Sequence, residues 1–215
     1  AGNISVASSG LTVTIDTTNP TVTITSGSLA YTENGAATAI DNAMKLTEVG
    51  SSGSSVLTVQ FSANAEASDT LSLATGTAAG ININGTDLRS DATNIGTVTT
   101  SSVTSNTVWT LTFLSSATEE DIQNVLQAIR YNSTSDNPST LDRTVTFSVT
   151  DGAGNQTSDT RIIEVSAVND APTVTGTPSD ISITEDVTGS VDLSVFEFAD
   201  LEGDNITVTL DLSAG

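Results

Sequence analysis

Apolar and polar residues alternate with a period of two along most of the chain, the pattern of strands with one buried face. The clearest runs are Leu11–Asp16, Thr21–Thr25, Leu29–Glu33, Val56–Phe61, Thr107–Leu114, Arg143–Thr150, Arg161–Val168, Ile181–Thr184 and Ile206–Leu212. In Thr107–Leu114 the side chains of Trp109, Leu111 and Phe113 share one face, which predicts a core role for all three. Gly, Asn, Asp and Ser punctuate the gaps, as in Asn84-Gly85 and Asp151-Gly152. One stretch breaks this rhythm. Within Ser116–Arg130, Ile122, Val125, Leu126 and Ile129 fall at i, i+3, i+4 and i+7, which predicts an amphipathic helix of about three turns. Thr118 and Asp121 form a T-x-x-D capping signature. Glu119 and Glu120 suit the positive end of the helix dipole, and Arg130 the negative end. The helix is expected to bridge two strands and to cap an edge or end of a sandwich. Seven or more short strands separated by frequent turns predict a β-sandwich.

The pattern also repeats at long range. Ala1-Gly2-Asn3 matches Ala153-Gly154-Asn155, an offset of 152, and the same offset carries Leu11 and Val13 onto Ile163 and Val165. Pro20-Thr21-Val22-Thr23 falls on Pro172-Thr173-Val174-Thr175, and Leu29, Tyr31, Thr32, Glu33 and Asn34 on Ile181, Ile183, Thr184, Glu185 and Asp186. The expected organisation is a window on a tandem array. Residues 1–19 would be the last strand or strands of one module, 20–171 a complete module, and 172–215 the beginning of the next. The junctions are Asp16-Thr17-Thr18-Asn19-Pro20 and Val168-Asn169-Asp170-Ala171-Pro172, each ending in a proline that suits a strand entry.

Composition narrows the function. The chain has 26 acidic and 5 basic side chains, no His and no Cys, for a formal charge of −21. Such a charge repels phosphate backbones and argues against nucleic-acid partners. Without His or Cys there is no Cys/His zinc site, disulfide framework, thiol nucleophile or Ser-His-Asp triad. Carboxylate and carbonyl oxygens remain, and these suit calcium or magnesium. No apolar run is long enough to span a membrane, and no signal peptide is visible, as expected of a fragment. Abundant Thr and Val favour strands over helices.

The acids that draw attention flank the second junction. Asn169-Asp170 precedes Pro172, Glu185 follows, and Asp200-Leu201-Glu202-Gly203-Asp204 places acids at i, i+2 and i+4. Alternating acids in a loop can converge on one hard cation. The same run also reads as a solvated acidic turn.

At this point the chain resembles a known family. The junction VNDAP resembles the calcium-binding linker between cadherin repeats, and YTEN (31–34), ITED (183–186) and FADLEGD resemble that family's other ligand motifs in order and spacing. The segments ATEEDIQNVLQAIRYN and TVTFSVTDGAGN are similar to the cadherin-like repeats of giant bacterial surface adhesins of the RTX type, and AGNISVASSGLTVTIDTTNP to the tail of an Ig-like repeat. The resemblance implies tandem Greek-key β-sandwich modules, an extracellular location on a bacterial cell surface, and calcium at the joints. It implies a role in adhesion or biofilm attachment, with neighbouring modules, a cell-surface protein or a polysaccharide as partners. The implied ligands are Glu33, Asn169 with Asp170, and Asp200 with Glu202 or Asp204, while Glu185 would serve a later junction. The family's D-R-E motif has no clear counterpart; Asp69 or Asp136 could replace it. The first junction, with only Asp16 and Asn19 and with Glu48 at the counterpart of Asp200, is expected to bind calcium weakly or not at all. The RTX-type G-G-x-G-x-D repeat is absent from the sequence.

Other features have plainer readings. Asp151-Gly152-Ala153-Gly154-Asn155 could supply calcium ligands, with Asp151 as a candidate, but such a run more often makes a β-turn needing positive φ. Trp109, Tyr31 and Tyr131 could stack on sugars, and a calcium-dependent carbohydrate-binding module is the alternative function. Trp109 shares its face with Leu111 and Phe113, which favours the core. An enzyme is disfavoured, because the acids concentrate at junctions and a partial module cannot house a site of its own.

Overall fold

A computed structural model describes residues 15–49, 54–76, 80–176, 186, 188, 189 and 192–209. The chain is mostly β, with one short helix. In chain order the first strands are β1 (Thr21–Thr23), β2 (Leu29–Thr32), β3 (Thr38–Ala39), β4 (Lys45–Thr47), β5 (Val56–Ala63) and β6 (Asp69–Leu73). Next come β7 (Ile81–Asn84), β8 (Asp87–Ser90), β9 (Thr93–Val98), β10 (Ser102–Thr104), β11 (Trp109–Phe113) and helix α1 (Glu119–Ala128). The last are β12 (Ile129–Ser133), β13 (Arg143–Thr150), β14 (Gln156–Ser166), β15 (Thr173–Thr175) and β16 (Glu197–Ala199).

An eight-stranded sheet runs β2-β14-β13-β5-β11-β9-β8-β7, and a four-stranded sheet runs β10-β6-β12-β3. Two small ladders, β1-β4 and β15-β16, complete the pairing. Neighbours are antiparallel except β2, which lies parallel to β14. One apolar core joins both larger sheets. Leu57, Val59, Trp109, Leu111, Phe113, Val145, Phe147 and Val149 come from the larger sheet, and Leu71, Leu73, Ile129 and Tyr131 from the smaller. Strand β13 alternates buried and half-buried residues along its full length, as its sequence predicts. Trp109 is fully buried and its indole N–H donates to the Thr100 carbonyl at 2.9 Å, so the ring is apolar core with its one donor satisfied.

Helix α1 links β11 of the larger sheet to β12 of the smaller, bridging two strands as expected. The capping box forms: the Asp121 N–H donates to the Thr118 hydroxyl at 3.1 Å, and the Thr118 N–H to Asp121 Oδ2 at 2.9 Å. Ile122, Val125 and Leu126 are buried. The predicted C-terminus is corrected. The helix ends at Ala128, Ile129 opens β12, and Arg130 lies in that strand donating to the Ala37 carbonyl at 2.9 Å. The reason is an alternation that overlaps the helical one: Ile129, Tyr131 and Ser133 all point inward and pair with β6.

Two strand boundaries also differ. Strand β14 begins at Gln156, five residues before the expected Arg161, because its polar first half is held by ladder bonds to all of β13. Residues 206–209 are irregular where a strand was expected. The expected strand at Ile181–Thr184 and all but the last two residues of Leu11–Asp16 lie outside the described residues.

Candidate metal centre

The β13–β14 hairpin carries the chain to one end of the sandwich. There Ser166 pairs with Thr32, and the Glu33 N–H donates to the Ser166 carbonyl at 3.0 Å. Glu33 is therefore anchored to a residue three positions before Asn169 enters the second junction. Tyr31 fastens the same end: its hydroxyl donates to the Gly35 carbonyl at 2.8 Å and accepts from the Ser133 N–H at 3.2 Å, and its ring meets Tyr131 edge-on at 4.8 Å.

After β12 the chain forms a loop over 134–142 that reaches across the junction. Asn137 Nδ2 donates to the Leu201 carbonyl at 2.9 Å. The base of this loop is held by Arg143, which is fully buried. Its Nε donates to Asp69 Oδ2 at 3.0 Å, a second nitrogen to Glu66 Oε2 at 2.8 Å, and a third to the carbonyls of Ser139 and Leu141. Asp69 Oδ1 also accepts from the Tyr131 hydroxyl at 2.7 Å. Burial, the bond to Asp69 and that carboxylate's charge together push the Tyr131 pKa well above the usual phenol value.

At the junction the Asp170 N–H donates to Glu202 Oε2 at 3.3 Å, and Asn169 Nδ2 to the Asp170 carbonyl at 2.8 Å. Asp200 organises the acidic turn, accepting from the Asp204 N–H at 2.8 Å on Oδ1. Gly203 in that turn has φ +81°, a left-handed value that glycine adopts without strain. A cavity of about 500 Å³ is lined by Asp136, Asp170, Ala171, Thr173, Ala199 and Asp200 with Leu201.

The electrostatics of this end are one-sided. Asp170 Oδ2, Glu202 Oε1 and Glu33 Oε2 are buried and have no hydrogen-bond partner in the chain. Leaving a buried charged acceptor unmatched costs about 1–3 kcal/mol or more, so native structures rarely tolerate it without an ion or water. Of the five basic residues, Lys45 lies in β4 opposite Thr23, Arg89 pairs with Asp87, Arg130 reaches Ala37, Arg143 holds Glu66 and Asp69, and Arg161 holds Thr25 and Gly27. None of these contacts touches Asp170, Asp200 or Glu202. The donor set, all hard oxygen, fits a calcium-class cation better than any transition metal. Among the described residues, no group of three acidic side chains already stands in a metal-holding arrangement.

The structure links Asp170 to Glu202 by one backbone bond and lines one cavity with Asp136, Asp170 and Asp200. Glu33 shares this end of the sandwich, Asn169 donates to the Asp170 carbonyl, and the backbone of Asp204 is tied to Asp200. Of the two replacements considered for the missing D-R-E motif, Asp69 is consumed by Arg143 and Tyr131, whereas Asp136 faces the junction cavity. Asp151 lies elsewhere. It closes the turn before β14, eleven residues or about 35 Å of strand from the junction. It accepts from the Ala153 and Asn155 N–H groups at 2.9 and 2.8 Å, and Gly154 takes the positive φ that the turn needs. Burial works against its ionisation, but bonds from the Asn155 side chain and the turn amides outweigh it and hold its pKa below the usual value. Asn155 Nδ2 also donates to the Asp16 carbonyl at 3.3 Å, so Asp151 belongs to the first junction's end. Glu185 lies outside the described residues. The sequence reading missed Asn137, whose signal was the Asp-Asn-Pro run at 136–138, a turn former like the junction itself. Comparison with protein-family models, with curated proteins and with solved structures finds no match.

Proposed function

We propose that the chain is a calcium-binding structural segment of an extracellular surface protein, in which calcium at the 169–170 junction stiffens successive sandwich modules for adhesion. The observation that carries this reading is the pair of buried, unmatched carboxylate oxygens on Asp170 and Glu202, two residues joined across the junction by the bond from the Asp170 N–H to the other Glu202 oxygen. Glu33, Asn169, Asp170, Asp200 and Glu202, with Asp136, would hold the ion, and Asp204 would support Asp200. When bound, calcium supplies positive charge that cancels their mutual repulsion. The chain does the rest. Asn137 pins the acidic turn against the first sandwich, Pro172 restricts the exit from the junction, and the Glu33 amide fixes the strand end beside it. Without a cation, like charges at the joint repel and the hinge loosens. With one, the native state gains stability as with any ligand it binds selectively.

Calorimetric titration with calcium tests this directly. The chain should bind calcium, and Asp170→Ala should remove the tightest site. Small-angle scattering should show a longer maximum dimension in calcium than in EDTA. Equal dimensions in the two buffers, or calcium binding untouched by Asp170→Ala, would sink the proposal. The alternative of a carbohydrate-binding module is weakened by burial of Trp109, Tyr31 and Tyr131, the aromatic side chains considered for stacking on sugars.

A further inference from the structure

The loop over 134–142 is fastened to the first sandwich along its length and to the acidic turn through Asn137. At its start the Thr134 N–H donates to the Ser68 carbonyl at 3.3 Å, and at its end Asn64 Nδ2 donates to the Asp142 carbonyl at 2.9 Å. Between these points the Ser139 N–H is shared by both Glu66 carboxylate oxygens at 3.2 Å, and Arg143 donates to the same carboxylate at 2.8 Å. Glu66 stands in the connection between β5 and β6 and is itself held fast. Its N–H donates to Asp69 Oδ2 at 2.8 Å, and its carbonyl accepts from the Asp69 N–H at 3.0 Å. Among the described residues, those lining the junction cavity include Asp136 but not Glu66. Glu66 therefore meets the junction only through the loop it holds.

We propose that Glu66 is a positioning residue for the junction: by holding the Ser139 amide it sets where Asp136 and Asn137 stand, and so tunes cation binding that it takes no part in. The role rests on the reading of the junction as a calcium site. Pro138 is what transmits the constraint. It is buried, and it separates the anchored Ser139 from Asn137. A proline ring locks its own φ, and its Cδ confines the residue before it to extended backbone. Few free torsions then remain between the Glu66 anchor and the Asn137 side chain. The Asn137 N–H is tied further to Ser135 Oγ at 3.3 Å, which fixes the backbone on either side of Asp136. Asn137 Nδ2 carries the constraint across the joint to the Leu201 carbonyl at 2.9 Å, within the turn that holds Asp200 and Glu202. The Glu66 side chain is 34% exposed, and Arg143 keeps Asp69 and two carbonyls without it, so its replacement leaves no buried charge stranded. The competing account is electrostatic: one more negative charge near the site attracts a cation whatever its bonds. Glu66→Gln separates the two, since it removes the charge and keeps an oxygen for Ser139.

Two measurements on the full chain test this: calcium affinity by calorimetry, and hydrogen exchange of the Asp170 N–H by NMR in EDTA. That amide finds its acceptor, Glu202, across the joint, so its exchange reports how well the joint is held without a cation. Glu66→Ala should weaken calcium binding about tenfold, the scale seen when a residue that orients a metal ligand is lost, and should speed Asp170 exchange. Glu66→Gln should stay close to the parent in both. Pro138→Gly should reproduce the Glu66→Ala losses, and the double variant should lose little more than either single one, because both break one linkage. The Trp109 transition in EDTA shows that each variant is folded. A Gln variant as weak as the Ala variant, additive losses in the double variant, or a Glu66→Ala chain with parental affinity and exchange would each overturn the proposal. A parent chain that binds no calcium would end the calcium reading instead, and Asp170 exchange would then decide the positioning role by itself.

Discussion

Replacing Arg143 by Met removes the cation that a closed set of acids requires. The guanidinium and the Asp69 carboxylate are both fully buried, so neither charge can turn to water when the other is lost. After the change Asp69 keeps only the Tyr131 hydroxyl at 2.7 Å and the Glu66 N–H at 2.8 Å, and the Ser139 and Leu141 carbonyls lose their donor. Stranding one partner of a buried ion pair costs about 3–5 kcal/mol. At about 2–4 °C per kcal/mol for a chain of this size, the midpoint should fall by roughly 6–20 °C. Trp109, the sole tryptophan and buried in β11, reports the transition by fluorescence in urea and on heating. Asp69→Asn in the Arg143→Met background should recover some of the loss, since it removes the stranded charge, and the cycle should show a coupling of about 2 kcal/mol or more. A single variant within about 1 kcal/mol of the parent, or additive effects across the cycle, would refute the argument that this pair is closed to solvent.

Further outcomes follow from local features. Asp121 and Asp151 both have pKa values held below the ordinary carboxylate value; burial opposes this, and hydrogen bonds to the ionised forms outweigh it. The stability they contribute is present above the unfolded carboxylate value, about 3.9, and is lost as pH falls through their lower folded values; Asn155→Ala should flatten the Asp151 contribution to that acid limb in pH-dependent urea titrations. Thr118→Ala removes the helix cap and should cost about 1 kcal/mol, measured by the same Trp109 transition. Acrylamide should quench Trp109 poorly in the native chain, and polysaccharides should leave its emission unchanged; a polysaccharide-dependent shift would revive the sugar-binding alternative.

What could be read in the sequence tracks how local each determinant is. The capping box at Thr118 and the inward row Trp109, Leu111, Phe113 lie within a few residues, and both form as their spacing predicts. Arg130 shows the limit: helical and strand periods overlap at Ile129, and only pairing with β6 decides between them. The polar half of β14 was hidden because its cause is the partner strand β13, not its own side chains. At the candidate site, Asp170 and the 200–204 acids could be named from spacing. Their relation could not, because it depends on Asn137 reaching Leu201 across 64 residues of chain. Asp69 and Asp136 were equivalent as letters; the nearness of Arg143 separates them. Asp151 looked close to the junction in sequence and is a strand's length away in space.

The parallel pairing of β2 with β14 has a mechanical consequence. Tension between residue 20 and residue 172 first meets β1 and the bonds from Ile24, Thr25 and Gly27 to β14; beyond these it reaches the leading end of β2 and leaves through the trailing end of β14. Because the two strands run in the same direction, the pull slides one along the other, and the rungs from Leu29–Ile163 to Thr32–Ser166 are loaded together. A hairpin pulled at its open end would instead unzip rung by rung. Here the load is shared in shear across those four rungs, a geometry that resists such a pull more than a hairpin would.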